Sequence, residues 1–312
     1  MPIRKFQPDS DLQKLESYLR NQYRENQNMT SWLPERLHDL VYRVAPHEAD
    51  GGRKKSTEYM FFWEENGEIV ACILPDGENI YFSIQKGFEP LFPSLLAYSE
   101  KHCLPLFPPA DDGSIKFWVA LSDRLTDLQK ILVESGYTRY AEEEYEHCVY
   151  PHEEDASAKL PGGFRLLYGD EYVDEVKKWG ALHLGFHPEH EEIGYKHSMN
   201  PYISRKNSSM YQDSFECIVV DENARDKNDV CAYCFVYVDQ QSKSAFIEPV
   251  STREKYRRRG IGTAMMHGVI LRCKEKGIEK CYVNSFGWRR KFYNAAGFTT
   301  EGSTGFWHKV IR

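Results

Sequence analysis

The segment that most constrains the fold is a glycine-containing turn between an apolar strand pattern and an amphipathic helix pattern. The turn reads Arg257-x-x-Gly260-x-Gly262, after the apolar run 245–251 and before the helix pattern 262–276. Glycine lets the backbone turn tightly and approach a ligand closely. The unpaired amides and the dipole at the start of the following helix favour an anion. The pattern therefore predicts a diphosphate-binding turn in an α/β domain.

Charged and hydroxyl side chains flank this turn. Arg257, Arg258 and Arg259 supply positive charge, and Thr263 supplies a hydroxyl group. No Gly-Lys-Ser/Thr follows, and there is no GxGxxG, so the turn is neither a Walker A loop nor a dinucleotide-binding fingerprint. A solvated basic turn before a helix is the alternative interpretation.

The length of 312 residues predicts about two domains. A polar stretch over residues 151–163 ends in Pro-Gly-Gly and is typical of a linker. The two halves, residues 1–150 and 164–312, have similar predicted orders of strands and helices. An internal structural duplication is therefore expected, with two unrelated α/β domains as the alternative.

Charge and composition exclude several classes of protein. The net charge of −7 argues against a general nucleic-acid binder, and no apolar run is long enough for a membrane helix. Most of the eight cysteines lie in apolar runs, which is typical of a reducing compartment and predicts a cytoplasmic protein. Residues 1–160 have a net charge of −11, and residues 161–312 a net charge of +4. The positive half carries the anion-binding turn, and an acidic half would favour a cationic ligand if it lines that ligand's pocket.

The turn resembles the signature of the GCN5-related N-acetyltransferase (GNAT) superfamily, Gln/Arg-x-x-Gly-x-Gly/Ala after the fourth strand. A second family motif is similar, with Asn284 on a strand and then a helix ending in Tyr293-x-x-x-Gly297-Phe298. The resemblance covers roughly residues 164–312. The first half has the element order without the signature, so it resembles a degenerate GNAT domain.

The resemblance implies a mixed α+β fold with two GNAT-like domains in tandem. Each would have a central, mostly antiparallel twisted sheet flanked by helices. It also implies an acetyl-CoA-dependent N-acetyltransferase, whose acceptor we expect to be a primary amine on a small molecule rather than on a protein. Left open are a non-catalytic acyl-CoA-binding module and an acyltransferase for a longer acyl-CoA or an O-linked acceptor.

By the resemblance, Tyr293 is the general acid that protonates the leaving thiolate. Glu248 on the preceding strand is the leading candidate for the base, and a water relay is the alternative. Backbone amides near residues 249–251 are expected to stabilise the tetrahedral intermediate. The residues expected to bind acetyl-CoA are Val250, Thr252, Arg257, Arg258, Arg259, Gly260, Ile261, Gly262, Thr263 and Asn284.

The segment 183–197 contains four histidines and three glutamates. It lacks an HExxH pattern, and helix spacing alone does not make ligands converge, so no metal is expected. In the resemblance, this region shapes the acceptor pocket. The residues expected to bind the acceptor are Phe186, His187, Glu189 and Tyr202, and a polar surface loop is the alternative. The sequence predicts no oligomeric state.

Overall fold

The computed structural model describes residues 3–26, 32–42, 56–154, 156–190, 204–225 and 228–311. The chain divides into two compact units. The first comprises residues 1–41, 47–146 and 301–312, and the second comprises residues 42–46 and 147–300. Both contain strands and helices, so the predicted mixed class with sheets flanked by helices is confirmed.

The first half of the chain begins with a short strand and two helices and then alternates strands with two further helices. Its strands are β1 (Ile3–Lys5), β2 (Phe61–Glu65), β3 (Glu68–Asp76), β4 (Asn79–Ile84), β5 (Ile115–Ser122) and β6 (Thr138–Val149). Its helices are α1 (Pro8–Asn26), α2 (Pro34–Tyr42), α3 (Phe92–His102) and α4 (Thr126–Glu134).

The second half follows a similar order. Its strands are β7 (Phe164–Tyr168), β8 (Cys217–Asp221), β9 (Val230–Asp239), β10 (Ser244–Thr252), β11 (Lys280–Phe286) and β12 (Thr299–Ile311). Its helices are α5 (Glu175–Phe186), α6 (Ile261–Glu275) and α7 (Arg290–Ala295). Across the described ranges, no helix is both long and apolar enough to cross a membrane.

In the first unit, strands β1 to β4 pair antiparallel in sequence order, and β4 pairs parallel with β5. The β2–β3 hairpin turns at Asn66 and Gly67, whose φ angles of 52° and 82° lie in the left-handed region. An Asn-Gly pair suits such a turn because both residues tolerate this region. An Asn-Gly pair between two apolar strand patterns predicts a two-residue hairpin, and the structure confirms it.

The last strand of the chain belongs to the first unit. Residues 304–311 of β12 pair antiparallel with residues 115–122 of β5. The structure thus differs from the predicted boundary, which assigned all of residues 164–312 to the second domain. An alternating apolar pattern predicts a strand but does not identify the strand with which it pairs. The sequence therefore did not predict that β12 pairs with β5.

The stretch predicted as a linker, residues 151–163, is part of the second unit. Its Ala156 and Leu160 are partly buried and pack against that unit's apolar core. The polar composition and the glycines of residues 151–163 predicted a solvent-exposed linker. The two apolar side chains within the stretch instead fix it against the domain.

The second unit is built on strands β7, β8, β9 and β10, which pair antiparallel in that order, and β10 pairs parallel with β11. Strand β9 is buried on both faces. Cys234 and Val236 lie in the cluster that contains the apolar side chains of α6. Tyr233 and Phe235 contact Trp179 of α5, with ring centroids 5.1 and 5.9 Å apart.

A buried ionic network lies under α5. The Lys178 ammonium, 1% exposed, donates to Glu216 Oε2 over 2.6 Å, and the Glu216 side chain is fully buried. The hydroxyls of Tyr233 and Tyr211 donate to Glu216 Oε1 over 2.7 and 3.2 Å. The buried carboxylate is therefore both paired and hydrogen-bonded, which offsets its loss of hydration.

Candidate functional site

A gap between two strands defines the site in the second unit. Strands β10 and β11 pair only as far as Phe246 and Tyr282. β10 also has an irregular register against β9 between Ile247 and Val250. Beyond these points, no further β10–β11 pair is present in these two fully described strands. The backbone groups on their facing edges are thus available to a ligand.

A cleft of about 630 Å³ lies beside this gap. Ten residues selected from the sequence line it: Phe186, Val250, Thr252, Arg257, Arg258, Gly260, Ile261, Gly262, Thr263 and Tyr293. Seven further residues line it that the sequence did not single out: Gly185, Ser251, Trp288, Arg289, Lys291, Phe292 and Ala295. Local motifs therefore located most of the cleft.

Helix α6 begins at the cleft with free amides. Its N-cap residue, Gly260, has φ +78°, and no side chain caps the helix. The preceding Arg258 also has a left-handed φ of 61°. The amides of residues 261–263 lie in the first turn, where a helix supplies no internal acceptor. They can therefore donate to an anion, as the sequence predicted.

Gly262 has a packing role besides its place in the motif. A Cβ atom at this position would lie 3.0 Å from Thr252 Oγ1 and 3.1 Å from Phe292 Cε2. Both separations are shorter than ordinary van der Waals contacts. The missing side chain thus lets the start of α6 lie against α7 and the end of β10.

The three consecutive arginines have different surroundings. Arg257 donates from Nε to Thr252 O over 3.0 Å and from Nη2 to Gly185 O over 2.6 Å. The Arg259 guanidinium lies 4.8 Å from the centre of the Phe164 ring and is not in the cleft lining. Arg258 lines the cleft and has no partner within the described part of the chain. Of these three arginines, Arg258 is therefore the one left available for a phosphate.

Tyr293 lies on α7 and is 4% exposed. Its ring stacks on His147, with centroids 5.2 Å apart, and has edge contacts with Phe292 and Phe298. Burial, and then the negative charge of Glu248, raise the pKa of Tyr293 well above its usual range. The phenol therefore keeps its proton at neutral pH and can act as a donor.

Glu248 and Asn284 lie outside the cleft lining, on the two strands that separate. Glu248 on β10 is exposed, and its charge is close enough to act on Tyr293. The Oδ1 atom of Asn284 on β11 is buried and has no hydrogen-bond partner in the described residues. Leaving such an acceptor unpaired is unfavourable, so a ligand N–H donor would satisfy it.

Sequence analysis missed His147, which lies at the end of β6. Its Nε2 hydrogen-bonds with Ser285 Oγ over 2.8 Å, and its Nδ1 with Thr300 Oγ1 over 3.2 Å. Burial, and then the charge of Arg290, lower the pKa of His147 to about 4. The imidazole is thus neutral and supports one face of Tyr293. No local pattern marked it, because its partners are far away in the sequence.

The end of α5 forms one wall of the cleft through Gly185 and Phe186. A Cβ atom on Gly185 would lie 2.5 Å from Ser251 Oγ and 2.6 Å from Ser251 Cβ, so glycine permits the close approach of α5 to β10. Trp288 also lines the cleft and is 70% exposed, with the Arg289 guanidinium 4.4 Å from its ring centre. The cleft therefore has aromatic side chains available to a ligand.

His187 and Glu189 are not in the cleft lining. His187 Nδ1 lies 3.3 Å from Glu189 Oε1, and both side chains are exposed. They are grouped with His190 and His183, and burial and these neighbouring imidazoles lower the pKa of His183. Tyr202, the remaining predicted acceptor residue, lies outside the described residues.

Residues 179–298 match the model of a protein family described as the acetyltransferase (GNAT) family. No curated protein sequence matches the chain. The match contains the glycine turn, the separated strands and α7, so it covers the parts that line most of the cleft.

Solved structures with a similar fold span most of the chain. A GCN5-related N-acetyltransferase from Sphaerobacter thermophilus is 16% identical, with a TM-score of 0.61, covering 88% of this chain and 93% of that one. A GNAT-family acetyltransferase from Colwellia psychrerythraea is 12% identical, with a TM-score of 0.56 and 99% of both chains covered. A tandem GNAT protein from the clavulanic acid biosynthesis pathway is 13% identical, with a TM-score of 0.52, covering 91% and 96%. At these identities the similarity concerns the fold, and it extends to the first unit.

Proposed function

Because residues 179–298 match the model of the acetyltransferase (GNAT) family, we propose that this chain transfers the acetyl group of acetyl-CoA to a primary amine. The observation that carries the proposal is a single cleft lined both by an anion-binding helix start and by a buried, protonated tyrosine. The first suits the diphosphate of CoA, and the second suits the sulfur that leaves during acyl transfer.

The donor would bind along the gap between β10 and β11. Its diphosphate would accept hydrogen bonds from the amides of residues 261–263 and pair with Arg258. Its pantetheine arm would follow the strand edges that include Val250 and Thr252, with an amide N–H donating to Asn284 Oδ1. Arg257 and Arg259 would act on the loop rather than on the ligand, since both already have partners.

The proposed reaction is direct attack of the amine on the thioester. The ammonium form of the acceptor loses a proton to Glu248, directly or through water, and its nitrogen bonds to the carbonyl carbon. An amide N–H at residue 250 or 251 stabilises the resulting oxyanion, because Pro249 has no N–H to donate. The intermediate then collapses and the C–S bond breaks. The thiolate takes the proton of Tyr293, and the nitrogen loses its second proton, which returns through water to the Tyr293 phenolate.

The raised pKa of Tyr293 has two opposite effects on this step. It keeps the phenol fully protonated at neutral pH, so the donor is always present. It also weakens the driving force for complete proton transfer to sulfur. We therefore assign much of the rate effect to a hydrogen bond that stabilises the developing thiolate.

The proposed acceptor is a small molecule that carries a primary amine. Phe186 would contact it in the cleft, and the sequence predicts His187, Glu189 and Tyr202 as further acceptor-binding residues. A positively charged acceptor would be favoured if the acidic residues 1–160 line its pocket. We also propose a cytoplasmic location, which is supported by the eight cysteines, all of them buried thiols rather than disulfides.

The test is a screen of amines with acetyl-CoA that follows release of the CoA thiol. On an accepted amine, Tyr293→Phe should lower kcat by about 10²–10⁴-fold, the usual range for general acid catalysis. The dissociation constant of acetyl-CoA, measured by calorimetry, should change little. Tyr140→Phe, at an exposed tyrosine of the first unit, is the matched control.

Four other outcomes of these assays would contradict the proposal in part or in full. Full turnover by Tyr293→Phe would exclude its role as the acid. Binding of acetyl-CoA without turnover on any amine would indicate an acyl-CoA-binding module. Turnover that requires a longer acyl chain would indicate a different acyltransferase. No binding of acetyl-CoA would overturn the proposal entirely.

A further inference from the structure

Three histidines and one glutamate converge where α5 ends. His183 lies on the last turn of α5, His187 follows the helix, and a 3₁₀ helix over Pro188–His190 carries Glu189 and His190. One ligand atom from each of His187, Glu189 and His190 lies within 4.8 Å of the others. This group lies outside the cleft lining and supplies no acid, base or phosphate contact in the proposed acyl transfer.

From this geometry we infer that His187, Glu189 and His190 bind a divalent transition-metal ion of the Zn²⁺ class. Two imidazoles and one carboxylate are a common donor set for such ions, which bind N and O ligands at about 2.0–2.2 Å. Tetrahedral ligands at that range are roughly 3.4 Å apart. His187 Nδ1 and His190 Nε2 lie 3.3 and 3.9 Å from Glu189 Oε1, close to that spacing.

His183 orients the ligand on His190. The Nε2 atom of His183 and the Nδ1 atom of His190 form a hydrogen bond of 2.9 Å. His190 therefore uses Nδ1 within the protein and leaves Nε2 for the ion. A hydrogen bond to the second ring nitrogen is the usual way in which a metal-binding histidine is oriented.

The ligands have little freedom to separate, which favours binding. All three lie within four consecutive residues, and the amide of His190 donates to His187 O over 3.0 Å. Their side chains are 49%, 62% and 42% exposed, so an ion can enter and keep water at its remaining positions. The site thus requires only small side-chain rotations.

The position of the ion would link it to the cleft. His187 directly follows Gly185 and Phe186, which line the cleft, and Arg257 Nη2 donates to Gly185 O over 2.6 Å. An ion on His187 would fix the segment that carries Phe186. We therefore expect occupancy to change KM for substrates more than kcat.

The test is a calorimetric titration of the full-length chain, without a histidine tag, with ZnCl₂, followed by Co²⁺ and visible absorption spectroscopy. We expect one ion per chain and a Co²⁺ spectrum with nitrogen and oxygen ligands. His183→Ala should weaken Zn²⁺ binding by about 10–100-fold, as for other outer-shell partners. His187→Ala and His190→Ala should each weaken it by more. His152→Ala, at an exposed histidine of the same unit, should have no effect.

Two results would overturn the inference. One is the absence of Zn²⁺ binding, which would mean that the group is a neutral hydrogen-bonded cluster. The other is binding that survives in the His187→Ala/His190→Ala variant, which would place the ion on other residues. Circular dichroism confirms that each variant is folded. Because these readouts need no acyl transfer, the metal site and the proposed function fail or succeed separately.

Discussion

Gly185 is the position where a single methyl group should affect both stability and the cleft. In Gly185→Ala, the new Cβ atom would lie 2.5 Å from Ser251 Oγ and 2.6 Å from Ser251 Cβ. Carbon atoms normally pack at about 3.5–4.0 Å. The end of α5 and β10 must therefore separate by roughly 1 Å, since Ser251 is buried and is held by a hydrogen bond to Ala181 O.

The expected loss of stability follows from this short distance between the new Cβ atom and Ser251. Overpacking of this kind usually destabilises a protein by about 1–3 kcal/mol, which corresponds to a Tm decrease of roughly 2–12 °C for a unit of this size. The same movement would break the 2.6 Å hydrogen bond from Arg257 to Gly185 O. Because a 1 Å displacement in a substrate-binding wall can lower rates by about 100-fold, we expect kcat/KM for acetyl-CoA to fall by about 10–100-fold.

Thermal unfolding and the thiol-release assay measure the two effects. Gly162→Ala is the matched control, because a Cβ atom at Gly162 has no neighbour within 4 Å. Gly185→Ala combined with Ser251→Gly removes the clash from the other side and should recover part of the Tm and of kcat/KM. If Gly185→Ala matches Gly162→Ala in both readouts, the argument that α5 must approach β10 this closely is refuted.

Three other predictions concern charge. Arg258→Ala should weaken acetyl-CoA binding by about tenfold, an effect that decreases with salt, while Arg259→Ala should leave binding nearly unchanged because it contacts Phe164 instead. His147→Gln should reduce the acid sensitivity of unfolding. The pKa of His147 is lowered from 6.5 to about 4 on folding. Its contribution to stability is therefore complete above pH 6.5 and is lost as the pH falls towards 4. At pH 5 the loss is about 2 kcal/mol. Lys178→Met should destabilise the protein by about 3–5 kcal/mol, since it leaves a buried carboxylate without its cation.

The controls for these predictions use the same measurements. Isothermal calorimetry at two salt concentrations separates Arg258 from Arg259, and equal losses for both variants would contradict the assignment. An unchanged difference between unfolding at pH 7.5 and pH 5 in His147→Gln would exclude His147 as the sensitive group. Lys243→Met removes an exposed ion pair and should change stability by at most about 1 kcal/mol, so a similar loss for Lys178→Met would argue against the buried pair.

The sequence predicted the parts of the site that depend on neighbouring residues. The glycine turn, the start of α6 and Tyr293 are each encoded within a few residues, where a backbone conformation or a helix position follows directly from residue type. These motifs located seven of the residues that line the cleft. The first half of the chain lacks these motifs. In their place, Pro93 in the first turn of α3 removes an amide donor from the start of that helix.

The sequence did not predict contacts between distant segments. His147 and Ser285 are 138 positions apart, and only strand pairing brings them together. The need for glycine at position 185 depends on Ser251, and the grouping of His187 with His190 depends on where α5 ends. Periodicity identifies an element and its buried face, but it does not identify the element against which that face packs.

The pairing of β12 with β5 also has a consequence for folding during synthesis. The hydrogen bond between Ser303 and Asp123 spans 180 residues. At about 5–20 residues per second, a ribosome needs roughly 10–40 s to produce that length. Throughout this time β5 lacks the neighbour that β12 provides, and unpaired strand edges of this kind promote aggregation. The first unit therefore gains β12 only after the residues of the second unit have been translated, so the nascent chain needs protection at β5 until β12 has been synthesised.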